Sequence, residues 1–136
     1  MARAQTAAYS VGALLPEIVH ELTQDQINAY AAASGDHNPL HLDPEFAATT
    51  RFGGTIAHGM LVLAFISEML TTAFGPAWAN TGRLKVRFRD AARPGDIAAT
   101  RGRITRVSGS HLTCEIECVN QHGTVLINGD AEVTLP

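Results

Sequence analysis

Residues 58–74 read HGMLVLAFISEMLTTAF, and this stretch decides the fold. Apart from Ser67, Glu68, Thr71 and Thr72 it is apolar almost all the way round a helical wheel. A helix with so little polar surface belongs inside a protein, covered by other elements. Gly59 stands near its start, and Gly75-Pro76 breaks it at the far end.

Downstream, after a loop reaching Gly82, the periodicity changes from helical to two. Strands are expected at about 83–90, 97–107, 111–120 and 124–134. The turns between them are Arg93-Pro94-Gly95-Asp96, Ser108-Gly109-Ser110 and Gln121-His122-Gly123. Upstream, residues 17–22 alternate and predict a further strand. Thr23 with Gln26 makes a capping box that starts a helix over about Gln24–Ala33, with Ile27, Tyr30 and Ala31 on one side. Ser34-Gly35 stops that helix. A loop over Asp36–Leu42 follows, in which Pro39 argues against regular helix. Asp43-Pro44 reads as the cap and first residue of a short helix to about Thr50, and Phe52-Gly53-Gly54-Thr55 as a flexible connection.

One strand, a buried helix and four antiparallel strands predict an α+β hot-dog arrangement: a five-stranded antiparallel sheet wrapped around a central helix. At 136 residues there is room for one domain, spanning 1–136. Five strands curled round one helix leave it half covered, so a homodimer is expected to close it.

The composition is 46% hydrophobic and 17% charged with net charge -3, and aromatics make up 6%. Without a Lys/Arg cluster this argues against a nucleic-acid partner. The Ala7–Leu15 stretch after Arg3 is broken by Ser10 and Gly12 and lacks the continuous apolar run of a signal peptide. The longest apolar run, Met60–Ile66, is far short of the ~20 residues that span a bilayer. A cytoplasmic protein without a membrane partner is expected. Cys114 and Cys118 share a strand face with Leu112 and Ile116, too far apart to bridge, and read as buried small hydrophobes.

The chemistry is concentrated in residues 30–43, YAAASGDHNPLHLD. Asp36 and His41 are five residues apart, a span of up to about 16–18 Å when extended. Gly35, Asn38 and Pro39 are residues that fold a chain back on itself. A folded loop brings carboxylate and imidazole onto one water, which such a pair can activate and from which it can return a proton. The alternative is a turn in which Asp36 only caps backbone amides. Gly59 likewise has two readings. It can let a substrate carbonyl approach the free N–H groups at the helix start, or simply allow close helix–sheet packing.

The stretch from Tyr30 to Asp43 resembles the signature of the MaoC-like, or (R)-specific enoyl-CoA hydratase, family. Ile56-Ala57-His58-Gly59-Met60 resembles its second motif, and Leu84–Phe88 with Pro94-Gly95-Asp96 its later strand and turn. The similarity runs from about Val11 to Leu135. It implies reversible hydration of trans-2-enoyl thioesters to (R)-3-hydroxyacyl thioesters by a dimer. It also implies Asp36 and His41 as the catalytic dyad, with the Gly59 N–H on the thioester carbonyl and Ser67 near the dyad. A hydroxyl bonded back to the preceding turn is the other reading of Ser67. Asn38 and His58 complete the candidate substrate-binding set, although His58 also reads as a cap for the buried helix. The chain departs from the family at Thr55 and Ala91, where proline is frequent. Acyl-CoA or an acyl-carrier-protein thioester is the implied substrate, and neither a separate cofactor nor a metal is implied.

His20, His37, His111 and His122 lack a metal-ligand spacing and read as surface or structural. Glu68 faces either a dimer seam or a solvent edge. Arg83, Lys85, Arg87 and Arg89 give one strand a basic face, for solvent or for carrier phosphates. Phe65, Met69, Phe74 and Trp78 are candidates for the far end of an acyl pocket. Two rival functions share the fold: a thioesterase, with water directed at the carbonyl, and a silent acyl-thioester-binding subunit of a heterodimer.

Overall fold

A computed structural model describes residues 9–136, so Arg3 and the opening of the Ala7–Leu15 stretch lie outside the described residues. In chain order the elements are β1 (Ile18–Glu21), α1 (Gln24–Ser34), α2 (Pro39–Leu42), α3 (Pro44–Ala48) and α4 (Gly59–Phe74). They continue as α5 (Pro76–Thr81), β2 (Arg83–Phe88), β3 (Ile97–Ser108), β4 (His111–Val119) and β5 (Val125–Thr134). The strands form one antiparallel sheet in the order β1-β3-β4-β5-β2.

Helix α4 packs against β1, β3, β4 and β5. It buries Leu61, Val62, Phe65, Ile66, Met69, Leu70 and Phe74, each such side chain stabilising the fold by about 1.5–3 kcal/mol. This is the α+β hot-dog arrangement that the apolar helix and the period-two segments predict. Phe65, Met69 and Phe74, at 4%, 0% and 6% exposure, are part of the core. Among the described residues no helix is long and apolar enough to cross a membrane.

The sheet can wrap closely because glycines sit where strands crowd the core. Gly102 of β3 faces Ile116 of β4, which faces Gly129 of β5, which faces Val86 of β2. A Cβ on Gly102 would lie 2.8 Å from Leu15 Cδ1 and 3.1 Å from Met69 Cε. One on Gly129 would fall on the Lys85 carbonyl and 2.8 Å from Val86 Cα. Leu112, Cys114, Ile116 and Cys118 all point inward. Burial pushes the Cys114 thiol up to about 11, and burial, helped by the Glu117 carboxylate, pushes Cys118 up to about 12.

The basic face of β2 belongs to two cross-strand rows on the outside of the sheet. One runs Arg101, Glu117, Asn128, Arg87, and the other Arg103, Glu115, Asp130, Lys85. Arg103 Nη2 donates to Glu115 Oε2 at 3.3 Å. Opposite charges across strands are a solvated, mutually compensating face.

Two prolines mark corrections. Pro39 starts α2 rather than preventing it, with Asn38 Oδ1 accepting the Leu40 N–H at 3.0 Å. Pro76 starts α5 in what reads as a loop. At N1 a proline loses no helical hydrogen bond, and its fixed φ suits the first turn. Two ends also shift. α3 stops at Ala48 rather than Thr50, and β2 at Phe88, where the Arg89 and Asp90 N–H groups both turn to the Leu126 carbonyl. The 52–55 connection is tied down, since Thr55 Oγ1 donates to Gln24 Oε1 at 2.8 Å.

Candidate active site

The loop between α1 and α3 folds back because each turn residue supplies a local bond. Gly35 ends α1 at φ 79°, a left-handed conformation that glycine adopts freely. Asp36 Oδ1 accepts the Asn38 N–H at 3.2 Å, and Asn38 in turn caps α2. The amide oxygen of Asn38 is therefore engaged in the loop itself. α2 carries His41 inward, and Asp43 Oδ1 starts α3 by accepting from Glu45 and Phe46.

Three chemical groups meet there. One ligating atom from each of Asp36, His41 and His58 lies within 4.8 Å of the other two. His41 donates its Nδ1–H to the Ile56 carbonyl at 2.8 Å. A carbonyl only accepts, so the neutral ring has its free lone pair on Nε2. His58, 3% exposed, donates its Nε2–H to the Asp36 backbone carbonyl at 3.0 Å. The two imidazoles stack with centroids 3.9 Å apart, and Tyr30 packs on His58 at 4.8 Å. Asp36 is exposed and His41 half-buried, so water reaches the pair. These three side chains also have the make-up of a metal trio: each histidine commits one nitrogen to a carbonyl and keeps the other, and Asp36 keeps its second oxygen.

His58 stands at the N-cap of α4, yet its side chain makes no capping bond. Its role as a helix cap is therefore corrected: the ring turns away to Asp36, leaving Nδ1 buried without a partner. The His58 carbonyl takes the N–H groups of Leu61 and Val62. Among the described residues the Gly59 and Met60 N–H groups have no acceptor, and they sit at the positive end of a 16-residue helix. A Cβ at Gly59 would lie 2.9 Å from Phe88 Cε1. At Gly59 the packing is tight and the N–H is open. A cleft of about 600 Å³ adjoins it, lined by Phe52, Phe88, Arg51, Arg89 and Arg93 among others. It opens beside Gly59 rather than over the dyad.

Ser67 lies eight residues along α4 from Gly59, about 12 Å at the helical rise. Its hydroxyl is neither at the dyad nor bonded back to its own helix: it accepts from Trp78 Nε1 at 3.3 Å. That also accounts for half-buried Trp78. Glu68 faces the sheet edge, its Oε2 2.6 Å from His20 Nε2 on β1. Of the two departures, Ala91 uses its N–H on Asp90 Oδ1 at 2.8 Å, a bond that proline could not make. Gln24, which the sequence reading passed over, donates to the His41 carbonyl at 2.8 Å. Its partners are 17 and 31 residues away, beyond any local pattern.

A family profile described as "MaoC like domain" matches residues 12–125. The 3-hydroxybutyryl-CoA dehydratase of Methylorubrum extorquens is 31% identical over 117 residues, covering 85% of this chain and 74% of that protein. The (R)-specific enoyl-CoA hydratase of Aeromonas caviae is 35% identical over 114 residues, covering 82% of this chain and 84% of that protein. The solved (R)-hydratase from A. caviae involved in PHA biosynthesis has a TM-score of 0.82 at 30% identity, over 93% of this chain and 97% of that one. Similarity of that extent in both sequence and backbone means that this chain belongs to the MaoC-like family.

Proposed function

We propose that this chain catalyses the reversible hydration of trans-2-enoyl thioesters to (R)-3-hydroxyacyl thioesters. The observation that carries the reading is the cluster of Asp36, His41 and His58 within 4.8 Å, with His41 Nε2 free as a proton acceptor. A water between the Asp36 carboxylate and His41 Nε2 gives up a proton to the pair as its oxygen bonds to C3. The pair then delivers a proton to C2, so that water is added across the double bond and nothing else is consumed. Negative charge passes through the thioester oxygen, and the Gly59 N–H, backed by the α4 dipole, is the donor proposed for it. Dehydration runs the same steps backwards.

The proposed carrier is coenzyme A or an acyl-carrier protein. Either brings phosphate to the cleft beside Gly59, where Arg51, Arg89 and Arg93 supply cations. The carrier is part of the substrate, and no separate cofactor or metal enters the scheme. The proposed assembly is a homodimer, in a cytoplasmic setting. Met60 and Phe88, 58% and 55% exposed beside Gly59, form the kind of apolar surface that a second copy covers.

The test is to mix purified protein with crotonyl-CoA, follow the enoyl-thioester absorbance, and determine the product's configuration. The expected result is loss of the band with (R)-3-hydroxybutyryl-CoA formed. Asp36→Asn should lower the rate by about 10²–10⁴-fold while the loop survives, because an asparagine oxygen can still accept the Asn38 N–H. Release of free thiol without hydration would replace this reading with a thioesterase. No turnover on any enoyl chain or carrier would leave a binding subunit.

A further inference from the structure

His41 is held by more than its ring. Gln24 Nε2 donates to the His41 carbonyl at 2.8 Å and to Asn28 Oδ1 at 3.0 Å, while Gln24 Oε1 accepts from Thr55 Oγ1 at 2.8 Å. Both donors and the acceptor of this one amide are thus in use, and flipping it would set two oxygens face to face at His41. Thr55 is covalently joined to Ile56, the residue whose carbonyl takes the His41 Nδ1–H. The Ile56 N–H returns to the Leu40 carbonyl at 3.3 Å. The bonds close a ring: His41 carbonyl, Gln24 amide, Thr55 hydroxyl, Ile56 carbonyl, His41 imidazole.

We infer that Gln24 and Thr55 are positioning residues for His41, a clamp that fixes its tautomer and the direction of Nε2. The inference rests on the proposed role of His41 as proton carrier. Neither residue touches the reacting atoms. The ring joins three segments that are separate in sequence: the start of α1, the α2 turn and the connection into α4. Without the Thr55 hydroxyl the Ile56 carbonyl keeps only its neighbours' ties, Ile56 N–H on the Leu40 carbonyl and Ala57 N–H on the Ala92 carbonyl. Its hold on the Nδ1–H loosens, and the proton gains population on Nε2, the position the reaction needs empty.

The test uses four proteins: wild type, Thr55→Val, Thr55→Ser and Gln24→Ala. Crotonyl-CoA hydration supplies kcat and KM, and ¹⁵N-imidazole NMR reads the His41 tautomer. Thr55→Val keeps the shape and Thr55→Ser keeps the hydroxyl. The clamp predicts that kcat falls about ten- to a hundredfold in Thr55→Val and Gln24→Ala with KM nearly constant. Thr55→Ser should stay close to wild type, and the Nδ1-protonated signal of His41 should lose population only in the two slow variants. An unchanged tautomer and kcat in Thr55→Val, or equal loss in Thr55→Ser, would overturn it. If wild type itself turns nothing over, the hydratase reading fails, while the NMR comparison still decides the clamp.

Discussion

His58 touches both members of the proposed dyad: its ring stacks on His41 at 3.9 Å, and its Nε2–H holds the Asp36 carbonyl at 3.0 Å. His58→Phe keeps a ring for the stack and removes both the bond to Asp36 and the buried, unpartnered Nδ1. An unpaired buried acceptor is costly to keep. The expected outcome is therefore a melting temperature equal to or above wild type, with hydration about ten- to a hundredfold slower. Thermal melting and steady-state rates on one preparation check both halves.

Gly59→Ala puts a methyl group 2.9 Å from Phe88 Cε1. Phe88 is 55% exposed and can give way, so the fold should survive. If the N–H of residue 59 is the carbonyl's donor, kcat/KM falls by at least about tenfold, the loss of a single oxyanion contact being worth 10²–10³-fold. The added substitution Phe88→Ala discriminates. It restores activity if crowding alone is at fault, and leaves it low if the methyl shields the N–H.

The two thiols set an alkaline limit on stability. Their folded values, about 11 for Cys114 and about 12 for Cys118, stand above the ordinary 9.0 that they regain on unfolding. Above pH 9 the unfolded chain releases these protons and the folded one retains them, so stability should fall from pH 9 towards about 12. Below pH 8 the thiols contribute no slope. Urea midpoints measured across pH 7–11 for wild type and the Cys114→Ala, Cys118→Ala double variant check it, because the double variant should lack this part of the alkaline decline.

Gly129→Ala should be among the most destabilising single-methyl changes available. Its Cβ meets backbone, the Lys85 carbonyl and Val86 Cα, and backbone cannot rotate out of the way as Phe88 can. A loss of about 3 kcal/mol or more is expected, read as the shift in urea midpoint. Gly35→Ala, in an exposed turn with open space around the Cβ, should cost less, chiefly from its φ of 79°.

Helix α4 and strands β3 to β5 could be read from the chain because their signals are local: apolar residues on all sides of one segment, strict alternation in the others. α2 and α5 were hidden by one ambiguity, since a proline argues against a helix interior yet suits the first turn, where Pro39 and Pro76 stand. The folding back of the Asp36 loop was legible in Gly35, Asn38 and Pro39. What holds it was not, because Gln24 and Thr55 are 31 residues apart and look like ordinary polar surface. Ser67 shows the same limit. Its partner Trp78, 11 residues on, belongs to a helix that the proline concealed.

Helix α4 is at once the centre of the core and the element that begins at Gly59, directly after His58 of the site. A shaft gripped along its length by the sheet cannot slide at one end without sliding at the other. Shortening a buried side chain such as Ile66 or Leu70 therefore removes axial restraint as well as apolar contact. Misalignment of a few tenths of an ångström at the loop end would slow the chemistry while the chain still melts as a folded protein. If the Gly59 N–H is the donor proposed for it, activity should fall before stability as the α4 core is trimmed.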